Sequence, residues 1–97
     1  MSELSFEWDE HKNEINKRKH LVSFEEAVTV FYDENALVIS DPDHSIDEER
    51  FIILGFSAKA RMLVVCHCYR DSERKIRIIS ARKATGQEAR QYNEMEV

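Results

Sequence analysis

The sequence predicts an α+β domain, a meander of strands with two helices before it and one after it. Three observations lead there. Apolar, strand-prone stretches at 50–57, 61–70 and 75–81 are separated by only a few polar residues, which makes them antiparallel neighbours. Two segments with helix-start chemistry precede them, and a segment with helical spacing follows at about 83–93. With 97 residues, two glycines and one proline, the chain has length for one core and no room for a second, so residues 1–97 read as one domain.

Each element has a local reason. Phe6-Glu7-Trp8-Asp9 alternates apolar and acidic, suiting a short strand or an extended lead-in to a helix. Asp9 can cap a helix running to about His20, with Glu10 near its positive end and Lys17, Arg18 and Lys19 in its last turn. Ile15 is almost the only apolar residue inside this helix, which predicts shallow packing with Trp8 as anchor. Ser23 and Glu26 form a capping box for a second helix of about ten residues ending at Asn35. Its apolar residues Phe24, Ala27, Val28 and Phe31 recur at helical spacing. Residues 36–40 then read as a strand, and Asp41-Pro42-Asp43-His44-Ser45 as a turn. Gly55 marks a bulge or a close approach of another chain segment. On the last strand, strict alternation puts Ile76, Ile78 and Ser80 on one face and Arg77, Ile79 and Ala81 on the other.

Composition and charge narrow the function. The chain is 42% hydrophobic and 34% charged, and its apolar residues are well distributed, which argues against disorder. No apolar run approaches a membrane span, and no basic stretch leading into an apolar one opens the chain, so a soluble cytoplasmic protein is expected. The net charge of −5 hides a strong asymmetry: residues 1–49 hold 14 acids and 4 bases, while residues 50–83 hold 2 acids and 9 bases. A basic segment inside an acidic chain suits an anionic partner, because local field governs anion binding. Cys66 and Cys68 flank His67 on a strand, where alternation turns the imidazole away from both thiols. They read as small buried apolar residues, and no metal or other cofactor is assigned.

An ordered set of strings resembles the BrnT toxin family of bacterial type II toxin–antitoxin systems, from Phe6 to about Tyr92. It comprises Phe6-Glu7-Trp8-Asp9, Lys12-Asn13, Asn16, Lys19-His20, Val22-Ser23-Phe24-Glu25-Glu26-Ala27, Phe31, Asp41-Pro42-Asp43-His44-Ser45, Glu49-Arg50, Gly55 and Arg77-Ile78-Ile79-Ser80-Ala81-Arg82-Lys83-Ala84. The resemblance implies a RelE/ParE-like fold, a curved antiparallel sheet with helices on one face. It implies a ribonuclease toxin that blocks translation. It also implies a BrnA-type ribbon-helix-helix antitoxin, in a toxin2–antitoxin2 heterotetramer that binds operator DNA through the antitoxin. The family usually places Gly after Lys-His; Leu21 stands there in this chain, so a differently shaped helix end is expected, since a left-handed cap suits Gly.

Metal-free RNA cleavage needs a base for the 2′-hydroxyl, cations for the developing phosphorane charge and an acid for the leaving oxygen. Arginine suits the second task because its fork matches two phosphate oxygens. Arg82 is the first candidate, at the junction of the last strand and last helix, followed by Arg77, Arg61 and Arg50. Imidazole ordinarily titrates at about pH 6.5, which brings in His44, His20 and His67. Glu49 completes the catalytic candidates; Lys19, His20, His67, Lys83 and Tyr92 are the RNA-binding ones. The sequence assigns no individual acid or base. The competing reading is a toxin of the same fold that acts by binding, as in topoisomerase inhibition, or a decayed copy. Convergence of Arg77 and Arg82 beside a histidine or acid favours cleavage. The acidic faces of the first two helices, with Glu10, Glu14, Glu25 and Glu26, are candidates for a basic antitoxin segment.

Overall fold

The structure, a computed structural model, describes residues 4–41, 48–70 and 74–95. His44 and most of the turn around it lie outside them. The elements run β1 (Ser5–Glu7), α1 (Glu10–His20), α2 (Phe24–Val30), β2 (Leu37–Ser40), β3 (Phe51–Phe56), β4 (Met62–Arg70), β5 (Lys75–Lys83) and α3 (Gly86–Met95). The strands form one sheet in the order β1-β5-β4-β3-β2. Strands β2 to β5 are the antiparallel meander that their short connections require. β1 adds to β5 in parallel, pairing Ser5, Phe6 and Glu7 with Lys75, Ile76 and Arg77, so the sheet is mixed and not purely antiparallel.

The main core lies on one face of the sheet, where Val22, Phe24, Ala27 and Val30 meet Ile53, Leu63, Val65, Ile76, Ile78 and Ala81. α3 packs against the opposite face, where Tyr92 closes a second cluster with Leu54 and Val64. The helices therefore do not share one face. Gly55 marks a close approach: a Cβ there would lie 3.0 Å from Ala36 Cβ and from Asp33 Oδ2. The irregularity is in β5 instead, where Cys66 pairs with Ser80 but His67 pairs with Ile78, leaving Ile79 as the extra residue. This bulge resets the alternation. Ile76, Ile78 and Ala81 all face the main core, and Arg77, Ser80 and Arg82 share the other face, contrary to the strict alternation read from sequence.

α2 is shorter than expected, because the chain turns after Phe31 and Asp33 is committed elsewhere. Asp33 accepts from the amides of Asn35 (3.0 Å) and Phe56 (2.8 Å) and from the Tyr92 hydroxyl (2.8 Å). α1 packs differently too. Ile15 is 47% exposed, while Asn13 and Asn16 are buried. Asn13 accepts from the Phe24 amide (2.9 Å) and donates to Glu25 (2.9 Å) and Glu10 (3.1 Å). Asn16 donates to the carbonyls of Val22 (2.8 Å) and Ala81 (2.9 Å) and accepts from the Ala81 amide (3.2 Å). The helix is thus held by buried side-chain amides, with Trp8 edge-on to Phe24 beside it.

Asp9 caps α1 by accepting from the amides of His11 and Lys12. At the other end Leu21 takes the left-handed conformation, φ 60° and ψ 32°, and its amide donates to Lys17. The cap expected of Gly is therefore formed by Leu, against the steric preference of an L side chain. What holds it is its surroundings, since the Leu21 carbonyl accepts from Arg61 at 3.1 Å. The side chain is 69% exposed, so little packing is lost on removing it. Leu21→Gly should stabilise the fold by about 0.5–1 kcal/mol. In thermal unfolding this raises Tm by several degrees, and a fall in Tm would contradict the strained cap.

Candidate nucleic-acid interface

On the face that carries α3, the sheet is only partly covered. Asp41, Arg50, Ile52, Val64, Cys66, Ile79, Ser80 and Arg82 line a shallow cleft of about 200 Å³. Arg50 enters from the start of β3 and Arg82 from β5, and the bulge turns Ser80 to the same face. Across the bulge, Ile79 and Ser80 also border a second recess, formed with Lys12, Ile15, Asn16, Lys19 and His20 of α1. Positions 12, 15, 16, 19 and 20 are one stripe of that helix. Asn16 holds this stripe against β5 through Ala81, so two basic surfaces meet along one stretch of strand.

Arg82 is oriented by Glu88. Its Nη1 donates to Glu88 Oε1 (2.9 Å) and its Nη2 to Oε2 (2.8 Å), a bidentate pair. Glu88 is also the third residue of α3, and it accepts from the Thr85 amide (2.8 Å) while its own amide donates to the Thr85 hydroxyl (3.2 Å). One carboxylate therefore caps α3 and aims the arginine. The Arg82 guanidinium and the cap hold the Glu88 carboxyl at about 2, and the pair raises the Arg82 guanidinium in turn. Sequence reading passed over Glu88 as a site residue; the signal was the capping-box spacing Thr85-x-x-Glu88 directly after the favoured arginine.

The other candidates scatter. Arg77 is on the same face, but at the β1 end of β5, where its Nη1 donates to Glu7 at 2.9 Å. Arg70 and Lys75 lie near the same carboxylate, each at 3.8 Å. Arg77 and Arg82 thus do not converge; each engages a separate acid. Arg61 is absent from the cleft: its Nε donates to Glu26 Oε2 at 2.9 Å and its Nη2 to Oε1. Glu26 is buried and also accepts from the Ser57 hydroxyl at 2.7 Å, and the Arg61 guanidinium holds its carboxyl low. Glu26 is accordingly not available to an antitoxin. Glu10 and Glu25 hold Asn13, and Glu14 pairs with Lys17 at 2.5 Å.

His67 does point away from Cys66, but into the core: it is 0% exposed among Phe31, Phe51 and Tyr69. Burial lowers its pKa, with Nδ1 3.2 Å from the Val65 carbonyl, so it is a neutral core residue that RNA does not reach. Tyr92 is equally buried, edge-on to Phe56. Lys19 and Lys83 are exposed, His20 is half-buried beside Lys19, and Glu49 is exposed next to Arg50. Burial raises the thiol pKa of Cys66 and Cys68. Among the described residues no three of His, Cys, Asp and Glu form a group suited to a metal ion, and no helix is long and apolar enough to cross a membrane.

These features define a small α+β protein with an open, arginine- and lysine-lined face in place of an enclosed pocket. Residues 8–88 match the family described as ribonuclease toxin, BrnT, of type II toxin-antitoxin systems, and the chain belongs to that family. Its fold is similar to the 1.1 Å crystal structure of the Brucella abortus ribonuclease toxin, BrnT, with a TM-score of 0.66 and 21% identity, covering 86% of this chain and 99% of that one. No curated protein matches it significantly.

The Arg82–Glu88 pair has a pH signature. The Glu88 carboxyl lies at about 2 in the folded protein against an ordinary 4.5, so the unfolded chain binds the proton first as pH falls. The pair's contribution is therefore complete above the ordinary value and disappears as pH drops toward about 2. The Arg82 side chain is 42% exposed, so solvent screening reduces that contribution to about 1–2 kcal/mol. Glu88→Gln should lose this much at pH 7, with the gap to wild type closing in acid. Denaturant unfolding across pH checks it, and a gap of constant size would contradict the pair.

Proposed function

We propose that this chain is a metal-independent endoribonuclease toxin of a type II pair, acting in the cytoplasm on single RNA strands. One observation carries the reading: Arg82, fixed by Glu88, shares an open cleft with Arg50. The 2′-hydroxyl oxygen attacks the adjacent phosphorus, giving up its proton to a base. The bond to the 5′-oxygen breaks, and that oxygen takes a proton. The products are a 2′,3′-cyclic phosphate and a free 5′-hydroxyl. Arg50 and Arg82 neutralise the charge that builds on the non-bridging oxygens, where preorganised donors act most strongly. Bound phosphate engages the Nε–H and the second Nη2–H of Arg82, which Glu88 and the Lys83 carbonyl leave free, while Glu88 limits its rotation. His20, His44 and Glu49 are the proton-transfer candidates, with Lys19 and Lys83 on the RNA path.

The partner we propose is a BrnA-type ribbon-helix-helix antitoxin in a toxin2–antitoxin2 assembly that binds operator DNA. That partner and the RelE/ParE-like superfamily placement rest on the sequence resemblance. The alternative, inhibition by binding without cleavage, is favoured by the separation of Arg77 from Arg82.

The test is cleavage of single-stranded RNA by purified protein in EDTA. Wild type should cut, and Arg82→Ala should cut about 10²–10³-fold more slowly with its fold intact. Arg82→Lys should recover little, because an ammonium cannot match two oxygens in one plane. Cleavage abolished by EDTA and restored by magnesium would overturn metal independence. Absence of cleavage both on free RNA and on translating ribosomes would overturn the ribonuclease reading.

A further inference from the structure

Ile15 is anomalous. It sits on a helix of otherwise polar and charged residues, contributes nothing to the core, and leaves 47% of its surface exposed. Its exposed side borders the recess that also includes Lys12, Lys19, His20, Ile79 and Ser80. Ile79 is the extra residue of the bulge. The recess therefore has two aliphatic side chains with a polar rim, and it adjoins the Arg50–Arg82 cleft through Ile79 and Ser80.

The cations on the two sides differ in their commitments. In the cleft, Arg82 is held by Glu88 at 2.8 Å and Arg50 lies 4.0 Å from Glu48. Lys12 and Lys19 make no ion pair with any described residue. Two uncommitted ammonium groups beside a small apolar surface and an imidazole match one nucleotide: a flat apolar base with a phosphate alongside. A base reaches such a site only when splayed out of a stack, which is how single-stranded RNA is read.

We infer that this recess is a nucleobase subsite, taking the base of a nucleotide next to the phosphate in the arginine cleft. Ile15 and Ile79 carry the base, the His20 ring lies against it, and Lys12 and Lys19 take the flanking phosphate. The inference deepens the ribonuclease reading and rests on it. It makes Ile15 a base-contacting residue and single-stranded RNA the substrate.

The experiment uses a fluorescein-labelled 2′-O-methyl RNA octamer, blocked at the attacking hydroxyl, with versions abasic at each position in turn. Binding is followed by anisotropy. Because Ile15 is exposed, Ile15→Ser leaves the core intact. It should weaken the full octamer about 5–10-fold, a loss in the range of one unstacked base. That difference should vanish for one abasic position only, and for the octamer annealed to its complement. Lys19→Ala should weaken every probe alike and lower the salt slope by about one. Equal affinity of wild type and Ile15→Ser for all probes, or the same loss at every abasic position, overturns the subsite. If Arg82→Ala still weakens binding in that case, the RNA reading stands without it. No binding by wild type overturns the subsite, and the ribonuclease reading then stands or falls on the cleavage test.

Discussion

The amide of Asn16 occupies the place along β5 that a longer β1 would otherwise fill. β1 pairs only with residues 75–77 of β5, so the strand beyond them has an open edge with backbone groups turned outward. Asn16 meets both polar groups of Ala81 and ties the same nitrogen to the Val22 carbonyl. A buried amide that left those groups unmatched would cost about 1–3 kcal/mol for each. Matched, it closes a sheet edge, docks α1 and fixes the start of α2 in one residue. The bulge at Ile79 lies two residues away, and the candidate interface depends on it. The reset alternation puts Ser80 and Arg82 on the open face, and the docked helix brings Lys12 and Lys19 to the same stretch of strand.

The ionic groups divide by the same geometry. Arg61 lies at the foot of β4, beside the left-handed end of α1, and there it satisfies Glu26 and the Leu21 carbonyl. It works as a structural cation that joins the two helices to the sheet. Arg77 belongs to the β1 edge, with Glu7 as its partner. Arg82 differs because its acid comes from the first turn of α3, so the same contact that stabilises the helix start presents the guanidinium to the cleft. An arginine held by one carboxylate keeps donors for a second anion, since the guanidinium carries five N–H groups.

Much of the fold was legible because it is local. The caps at Asp9 and Ser23, the meander from Arg50 to Ala81 and the apolar stripe of α2 all arise from short-range rules. The features that were not legible are long-range. Asn13 and Asn16 entered only as part of the family resemblance, since nothing in a helical repeat announces that an asparagine is buried against a strand 65 residues away. The bulge inverted the face assignment of half a strand, and a sequence of alternating apolar residues does not reveal where one residue is left over. His67 was a candidate because imidazole titrates near neutral pH and because it stands in the middle of a strand, and Tyr92 was a candidate for RNA binding. The core took them, His67 among three aromatic rings and Tyr92 on the inner face of α3. The position of Arg82 was legible, because it stands at a strand-to-helix junction beside a helix start, and Glu88 pairs with it from three residues past the helix cap.

The dependence on Asn16 is best tested by amide hydrogen exchange at Ala81, in wild type and in Asn16→Ser. The account predicts an Ala81 amide protected nearly as well as the central amides of β3 and β4 in wild type. In the variant it should exchange at least about tenfold faster than those amides, as a freed edge group would. Equal protection of Ala81 relative to β3 and β4 in the two proteins would contradict the account, and the position of the interface would then need another cause.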